Sequence, residues 1–165
     1  MPTPATLPPA TAVRPSAPQL QAWRVFLRAH DAVTRVLEDE LEREQEMSLP
    51  SYDVLVQLCE VPQGLRMSEL AGAVLLSRSG LTRLVDRLER EGLVERRSCP
   101  SDARGTLAVL TPLGRERLRT AAPTHLRGVV EHFAVLYDEG ELATLGELLG
   151  RLAGPESRPA GGCGA

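Results

Sequence analysis

The chain has 165 residues, 42% hydrophobic, 25% charged and 3% aromatic, with a formal net charge of −3, a composition that fits one modest core and leaves little room for a second domain. All 19 cations are arginine, so lysine-based catalysis is excluded. No apolar stretch approaches the ~18 residues that cross a bilayer, and the opening MPTPATLPPATAVRP has neither a charged leader nor an apolar segment; no membrane partner and a cytoplasmic location are the expectation.

Residues 1–17 are rich in Pro, Ala and Thr, and 154–165 read GPESRPAGGCGA. Neither segment buries enough apolar surface to offset its ordering entropy, so both are expected to be disordered tails. From Leu20 the positions Leu20, Trp23, Phe26, Leu27, Val33, Leu37 and Leu41 trace one helical stripe that ends near Met47. Ser48 to Pro50 interrupts it, and SYDVLVQLCEV predicts a second helix with Val54, Leu55 and Leu58 inward, stopped by Pro62 and Gly64. Ser68 is the expected cap of a short helix, ELAGAVL, with Leu70, Ala71 and Val74 facing in. Ser77 is the expected cap of a fourth, RSGLTRLVDRLEREG, which stops at Gly92.

After Gly92 the period shortens toward two: LVERR, a turn-rich SCPSDARG and TLAVL predict a β-hairpin. Thr111-Pro112 opens a fifth helix whose stripe is Leu118, Leu126, Val129, Val130, Phe133 and Leu136, with a kink or break expected at Pro123. Asp138 and Glu141 form a capping box for a last helix, where Leu142, Leu145, Leu149 and Leu152 make a seam suited to another helix.

Two short helices followed at once by a polar-tipped hairpin is the winged helix-turn-helix order, whose second helix enters a major groove. The expected fold is therefore mainly α with a small β-hairpin wing. Residues 48–111 form the winged helix-turn-helix region, and 18–47 with 112–153 form a helical dimerisation region. Charge is partitioned to match: from Arg66 to Arg119 there are 11 Arg against 7 acids, and elsewhere 8 against 15. On the fourth helix Leu81, Leu84, Val85 and Leu88 share one face; Ser79, Thr82, Arg83, Asp86 and Arg90 share the other. Arg can bond guanine O6 and N7 together, and small hydroxyls allow close approach to bases or phosphates. A solvated amphipathic helix explains that face equally well when taken alone; the basic hairpin favours double-stranded DNA as the partner. The expected DNA-facing set is Ser77, Arg78, Ser79, Thr82, Arg83 and Arg87 on the helix with Arg96, Arg97 and Arg104 on the hairpin.

The stretch from Leu76 to Leu118, with TRLVDRLE, GLVER, a D-x-R wing and LTPLG, closely resembles the MarR family of transcriptional regulators. The resemblance implies a homodimer held by the first, fifth and sixth helices that represses from a pseudo-palindromic operator. Within it, Ser79, Thr82 and Arg83 would read the major groove, Arg104 the minor groove, and Asp102 would brace the wing, through Arg96. It also implies a small aromatic or anionic effector, with Trp23, Phe26, His30 and Tyr52 as pocket candidates. Core packing or dimer contacts are the alternative reading of those side chains.

All five aromatics lie outside the basic module, which argues against stacking on single strands. Cys59, Cys99 and Cys163 are odd in number and far apart, so reduced thiols are expected, Cys59 as a core residue. Residues 20–27 lack the cysteine of the family's hydroperoxide sensors. His30, His125, Glu131 and His132 include no His pair spaced i, i+4, so no metal is assigned, and no cofactor motif is present. No P-loop, G-x-G-x-x-G, H-E-x-x-H or G-x-S-x-G appears, and no enzyme is expected. The rival readings are a dimeric helical protein that binds an acidic protein partner, and a thiol-based redox regulator using Cys99 beside Arg96 and Arg97.

Overall fold

Ser16 opens the first helix, α1 (Ala17–Gln45): its hydroxyl accepts from Gln19 N while its own N donates to the Gln19 side chain at 2.7 Å, so two donors that the helix leaves free are satisfied. The computed structural model describes residues 14–74, 76–99 and 102–153, with backbone alone at 99, 102–104 and 153. Apart from residues 14–17, which lead into α1, the expected tails lie outside the described residues. Glu46 adopts a left-handed conformation (φ 49°) that ends α1, and Ser48 caps α2 (Leu49–Glu60) through its hydroxyl. Val54, Leu55 and Leu58 are fully buried, as their spacing predicts.

Gly64 has φ +90°, and a Cβ there would meet Ala108 O at 2.6 Å. Only glycine fits this turn, which delivers a two-residue strand, β1 (Leu65–Arg66), that periodicity cannot reveal. Because the strand runs to Arg66, α3 (Met67–Ala73) begins immediately after it. Arg66 N donates to the Glu69 carboxylate at 2.7 Å, so the cap lies at Arg66 and the expected one at Ser68 is corrected. Ser77 caps α4 (Arg78–Arg90), accepting from Gly80 N at 3.1 Å. Strands β2 (Val94–Cys99) and β3 (Asp102–Leu110) pair antiparallel from Val94↔Leu110 to Ser98↔Thr106, with an irregularity between Ser98 and Cys99. The sheet order is β1-β3-β2.

Thr111 caps α5 (Pro112–His132), which runs unbroken through Pro123, so the expected break does not occur. Ala121 and Thr124 beside it are buried, and Gln45 Nε2 donates to Thr124 Oγ at 2.9 Å; packing on α1 holds the helix across the missing N–H. The helix ends at His132, short of the expected stripe, and Ala134–Leu136 form a single 3-10 turn. The Asp138–Glu141 capping box then opens α6 (Glu139–Ala153) with reciprocal bonds of 2.9 and 2.8 Å.

One cluster, with Leu41, Leu55, Leu58, Leu70, Leu81, Val85, Leu88 and Val94 at its centre, joins the C-terminal half of α1 to α2, α3, α4, α5 and the sheet. The N-terminal half of α1 and all of α6 stand outside it: Leu20, Trp23, Phe26, Leu27, Leu148, Leu149 and Leu152 are exposed. Cys59 is buried as expected but disulfide-bonded, a correction to the reduced thiol; the sequence carries no pairing motif that signals it. Among the described residues no helix is long and apolar enough to cross a membrane.

Candidate nucleic-acid interface

Helix α4 divides as its sequence predicts. Leu81, Val85 and Leu88 are buried, and Leu84 packs partly against the core. Arg78, Ser79, Thr82, Arg83, Asp86 and Arg90 are exposed. Thr82 Oγ donates to Arg78 O at 2.9 Å, and Arg83 Nε approaches Ser79 O at 3.4 Å, so both polar groups lie along their own helix. Arg78, Arg83 and Arg90 have no ion pair among the described residues. A carboxylate-free guanidinium on an exposed helix face keeps its donors available to a phosphate or a guanine edge. Ser77, by contrast, spends its hydroxyl on the cap.

Two arginines of the expected set are engaged with neighbouring side chains: Arg96 is partly buried, and Arg87 stays exposed. Arg96 on β2 reaches the carboxylates of Asp86, at 2.6 Å, and Glu89 on α4, while its backbone N donates to Glu89 at 3.3 Å. Its side chain is only 27% exposed, and the Asp86 bond leads the interactions that raise its pKa above the usual arginine value. The clamp fixes the wing strand to the recognition helix. Arg87 Nη2 donates to Ser51 Oγ at 2.7 Å and to Ser48 Oγ at 3.2 Å, tying α4 to the start of α2. It forms one wall of a cavity of about 360 Å³ that Glu42, Glu46, Ser48, Ser51 and Arg117 also line. The sequence does not disclose that Asp86 and Glu89 pair with Arg96; an acidic pair spaced i, i+3 ahead of an arginine-bearing strand is the available signal.

Arg97 remains on the surface, paired with its neighbour Glu95. Arg104 and Asp102 fall where the backbone alone is described: both belong to β3, and the expected groove contact and brace lie outside the described side chains, as does Cys99. The effector candidates are spread over α1 and α2. Trp23 and Phe26 are exposed with ring centroids 5.9 Å apart, and His30 is exposed on the same helix. Tyr52 is in the core, its ring 4.4 Å from His125. Asp53, next to it, feels the charge of Glu38, fifteen residues beyond Trp23 along α1, which at 1.5 Å per residue is about 20 Å. Burial, and then the Glu38 charge, push the Asp53 carboxyl up to about 6; burial pushes His125 down.

Residues 45–105 match the MarR family profile. The chain is similar to AbsC, a MarR family transcriptional regulator from Streptomyces coelicolor, with 35% identity, coverage of 85% of this chain and 95% of that one, and a TM-score of 0.77. It is also similar to Sco3205 from the same organism, solved in complex with DNA, with 34% identity, 88% and 92% coverage, and a TM-score of 0.79. A third similar structure is CouR from Rhodococcus jostii RHA1 bound to p-coumaroyl-CoA, with 27% identity, 81% and 92% coverage, and a TM-score of 0.73.

Proposed function

This chain belongs to the MarR family of winged-helix, DNA-binding transcriptional regulators, and we propose that it acts as a homodimeric, ligand-responsive repressor on a pseudo-palindromic operator. The observation that carries the reading is the unpaired, exposed Arg83 beside Ser79 and Thr82 on the face of α4 opposite Leu81, Val85 and Leu88. On this reading Ser79, Thr82 and Arg83 meet base edges. Arg78, Arg90 and Arg97 meet phosphates, and Arg104 follows the minor groove. Arg87 and Arg96 hold α4 in position from behind.

Dimerisation is supported by the apolar surface of α1, the 3-10 turn and α6, where Trp23, Val135, Leu136 and Leu152 are each more than half exposed. Burying such a surface against a second copy removes it from water, and a two-fold axis places two recognition helices about one turn of DNA apart, ~34 Å. A ligand response is supported by the cavity behind α4 and by the p-coumaroyl-CoA complex of CouR. A small molecule that displaces Arg87 from Ser48 and Ser51 would free α4 to shift, with a coupling of ordinary allosteric size, about 1–3 kcal/mol. Trp23, Phe26 and His30 then belong to an outer site on α1, apart from Tyr52.

The test is to select DNA fragments retained by the purified protein from a genomic library and to measure their affinity against scrambled duplex. A two-fold-symmetric sequence bound at least a thousandfold more tightly supports the reading; retention of every duplex alike overturns it.

A further inference from the structure

The close packing of α1 on α5 leaves one carboxylate with an oxygen that has no hydrogen-bond partner among the described residues. Glu40, on α1, faces the C-terminal end of α5, where Gly128 lets the helices approach: a Cβ at 128 would lie 2.7 Å from Glu40 Oε2. The Glu40 side chain is 12% exposed. One oxygen, Oε1, lies 2.7 Å from His132 Nε2; the other, Oε2, is wholly buried with no hydrogen-bond partner. The nearby guanidinium of Arg127 lends its charge to Glu40 and Glu131 but no hydrogen bond, because both its contacts, at 2.8 Å, go to Glu44. The third member of the group, Glu131, is exposed and makes no hydrogen bond or ion pair among the described residues. One ligand atom from each of Glu40, Glu131 and His132 falls within 4.8 Å of the other two. Two carboxylates and one imidazole, one carboxylate with a buried oxygen that lacks a hydrogen bond, make a donor set that attracts a cation.

We propose that Glu40, Glu131 and His132 form a binding site for a divalent transition-metal ion of the zinc class, which ties α1 to α5. The donor chemistry selects the class. Imidazole disfavours magnesium and calcium, which prefer all-oxygen shells, and the absence of sulfur among the three disfavours copper(I). Three protein ligands leave a position for water or a fourth donor, the arrangement of an open zinc site. His132 and Glu131 are adjacent at the end of α5, whereas Glu40 comes from another helix 92 residues away in sequence from His132. Ion binding therefore cross-links the helices instead of decorating one of them. The expectation that no metal binds weighs Glu131 and His132 by their sequence spacing and leaves out Glu40, which only tertiary packing brings to them.

The test uses the full chain, stripped with chelator, and Co²⁺ as a spectroscopic probe, with Zn²⁺ added afterwards in competition. One equivalent per chain is expected, giving the visible bands of a low-coordinate cobalt site and displaced stoichiometrically by Zn²⁺ but not by excess Mg²⁺. His132→Ala and Glu131→Gln, the latter at an exposed position, are each expected to weaken binding at least tenfold while leaving the circular-dichroism spectrum unchanged. His125→Ala and Cys163→Ser are controls that leave affinity within twofold. Absence of a cobalt spectrum, or an unchanged affinity in both His132→Ala and Glu131→Gln, overturns the site. Because the readout is metal binding, a failure here is distinct from a failure to bind an operator.

Discussion

Replacing Arg96 with Met keeps most of its apolar stem and removes the guanidinium that joins β2 to Asp86 and Glu89. The side chains of Arg96, Asp86 and Glu89 are 27%, 49% and 38% exposed, so water screens the pair too well for the 3–5 kcal/mol that follows from breaking a buried ion pair. Two charge-assisted contacts on one partly covered guanidinium nevertheless exceed a single exposed pair, worth up to about 1 kcal/mol. We therefore expect Arg96→Met to lower stability by about 1–2 kcal/mol. The assay is urea unfolding of wild type, Arg96→Met, Glu89→Gln and the double variant at one protein concentration, because the proposed dimerisation would contribute to apparent stability. The double-mutant cycle is expected to give a coupling of about 1 kcal/mol between positions 89 and 96. DNA binding gives a second readout: Arg96→Met bares two carboxylates on the recognition helix, so affinity falls by more than one lost phosphate contact, and adding Glu89→Gln restores part of it. Additivity within about 0.3 kcal/mol, together with a loss confined to one unit of salt slope, refutes the clamp and returns Arg96 to the groove.

A Cβ at position 114 would meet Leu93 O at 2.0 Å and Leu110 Cδ1 at 2.7 Å; Gly114→Ala is therefore expected to cost about 2–4 kcal/mol, read as a lower thermal midpoint. Asp53 has its carboxyl raised to about 6 by burial and by Glu38. The folded state thus holds the proton more tightly than the unfolded chain, and stability declines as pH rises from about 4 to about 6. Asp53→Asn is expected to gain about 1–2 kcal/mol at pH 8 after allowance for screening, and little at pH 4; equal gains at both pH values contradict the linkage. Leu149→Glu combined with Leu152→Glu, both on the exposed face of α6, is expected to convert a sedimenting dimer to monomer at micromolar concentration. An unchanged sedimentation coefficient removes α6 from the interface.

What the sequence exposed and what it concealed follow the range of the interactions involved. Helix α4 was legible because Ser77, the Leu81/Val85/Leu88 face and Gly92 all act within one helix. The Asp138–Glu141 box was legible for the same reason. Strand β1 was not, since two residues carry no period and Leu65 and Arg66 become a strand only by pairing with Ala108 and Leu107. Pro123 does not break α5, because contacts such as that from Gln45, 79 positions away from Thr124, hold the helix across it. Among the site residues, the exposed character of Ser79, Thr82 and Arg83 could be read from helical spacing. The engagement of Arg87 depends on Ser48 and Ser51, and that of Arg96 on Asp86 and Glu89; charge counting has no access to those partners.

The central claim, that α4 reads base sequence through Arg83 while other arginines supply phosphate affinity, is tested most directly by titrating wild type and Arg83→Ala against operator and scrambled duplex at several salt concentrations. Loss of a bidentate base contact costs about 1–3 kcal/mol on operator, whereas loss of a phosphate contact lowers the salt slope by about one unit on every sequence. The account predicts that Arg83→Ala narrows the gap between operator and scrambled DNA by tenfold or more, with a salt slope close to wild type. Equal weakening on both duplexes would contradict it.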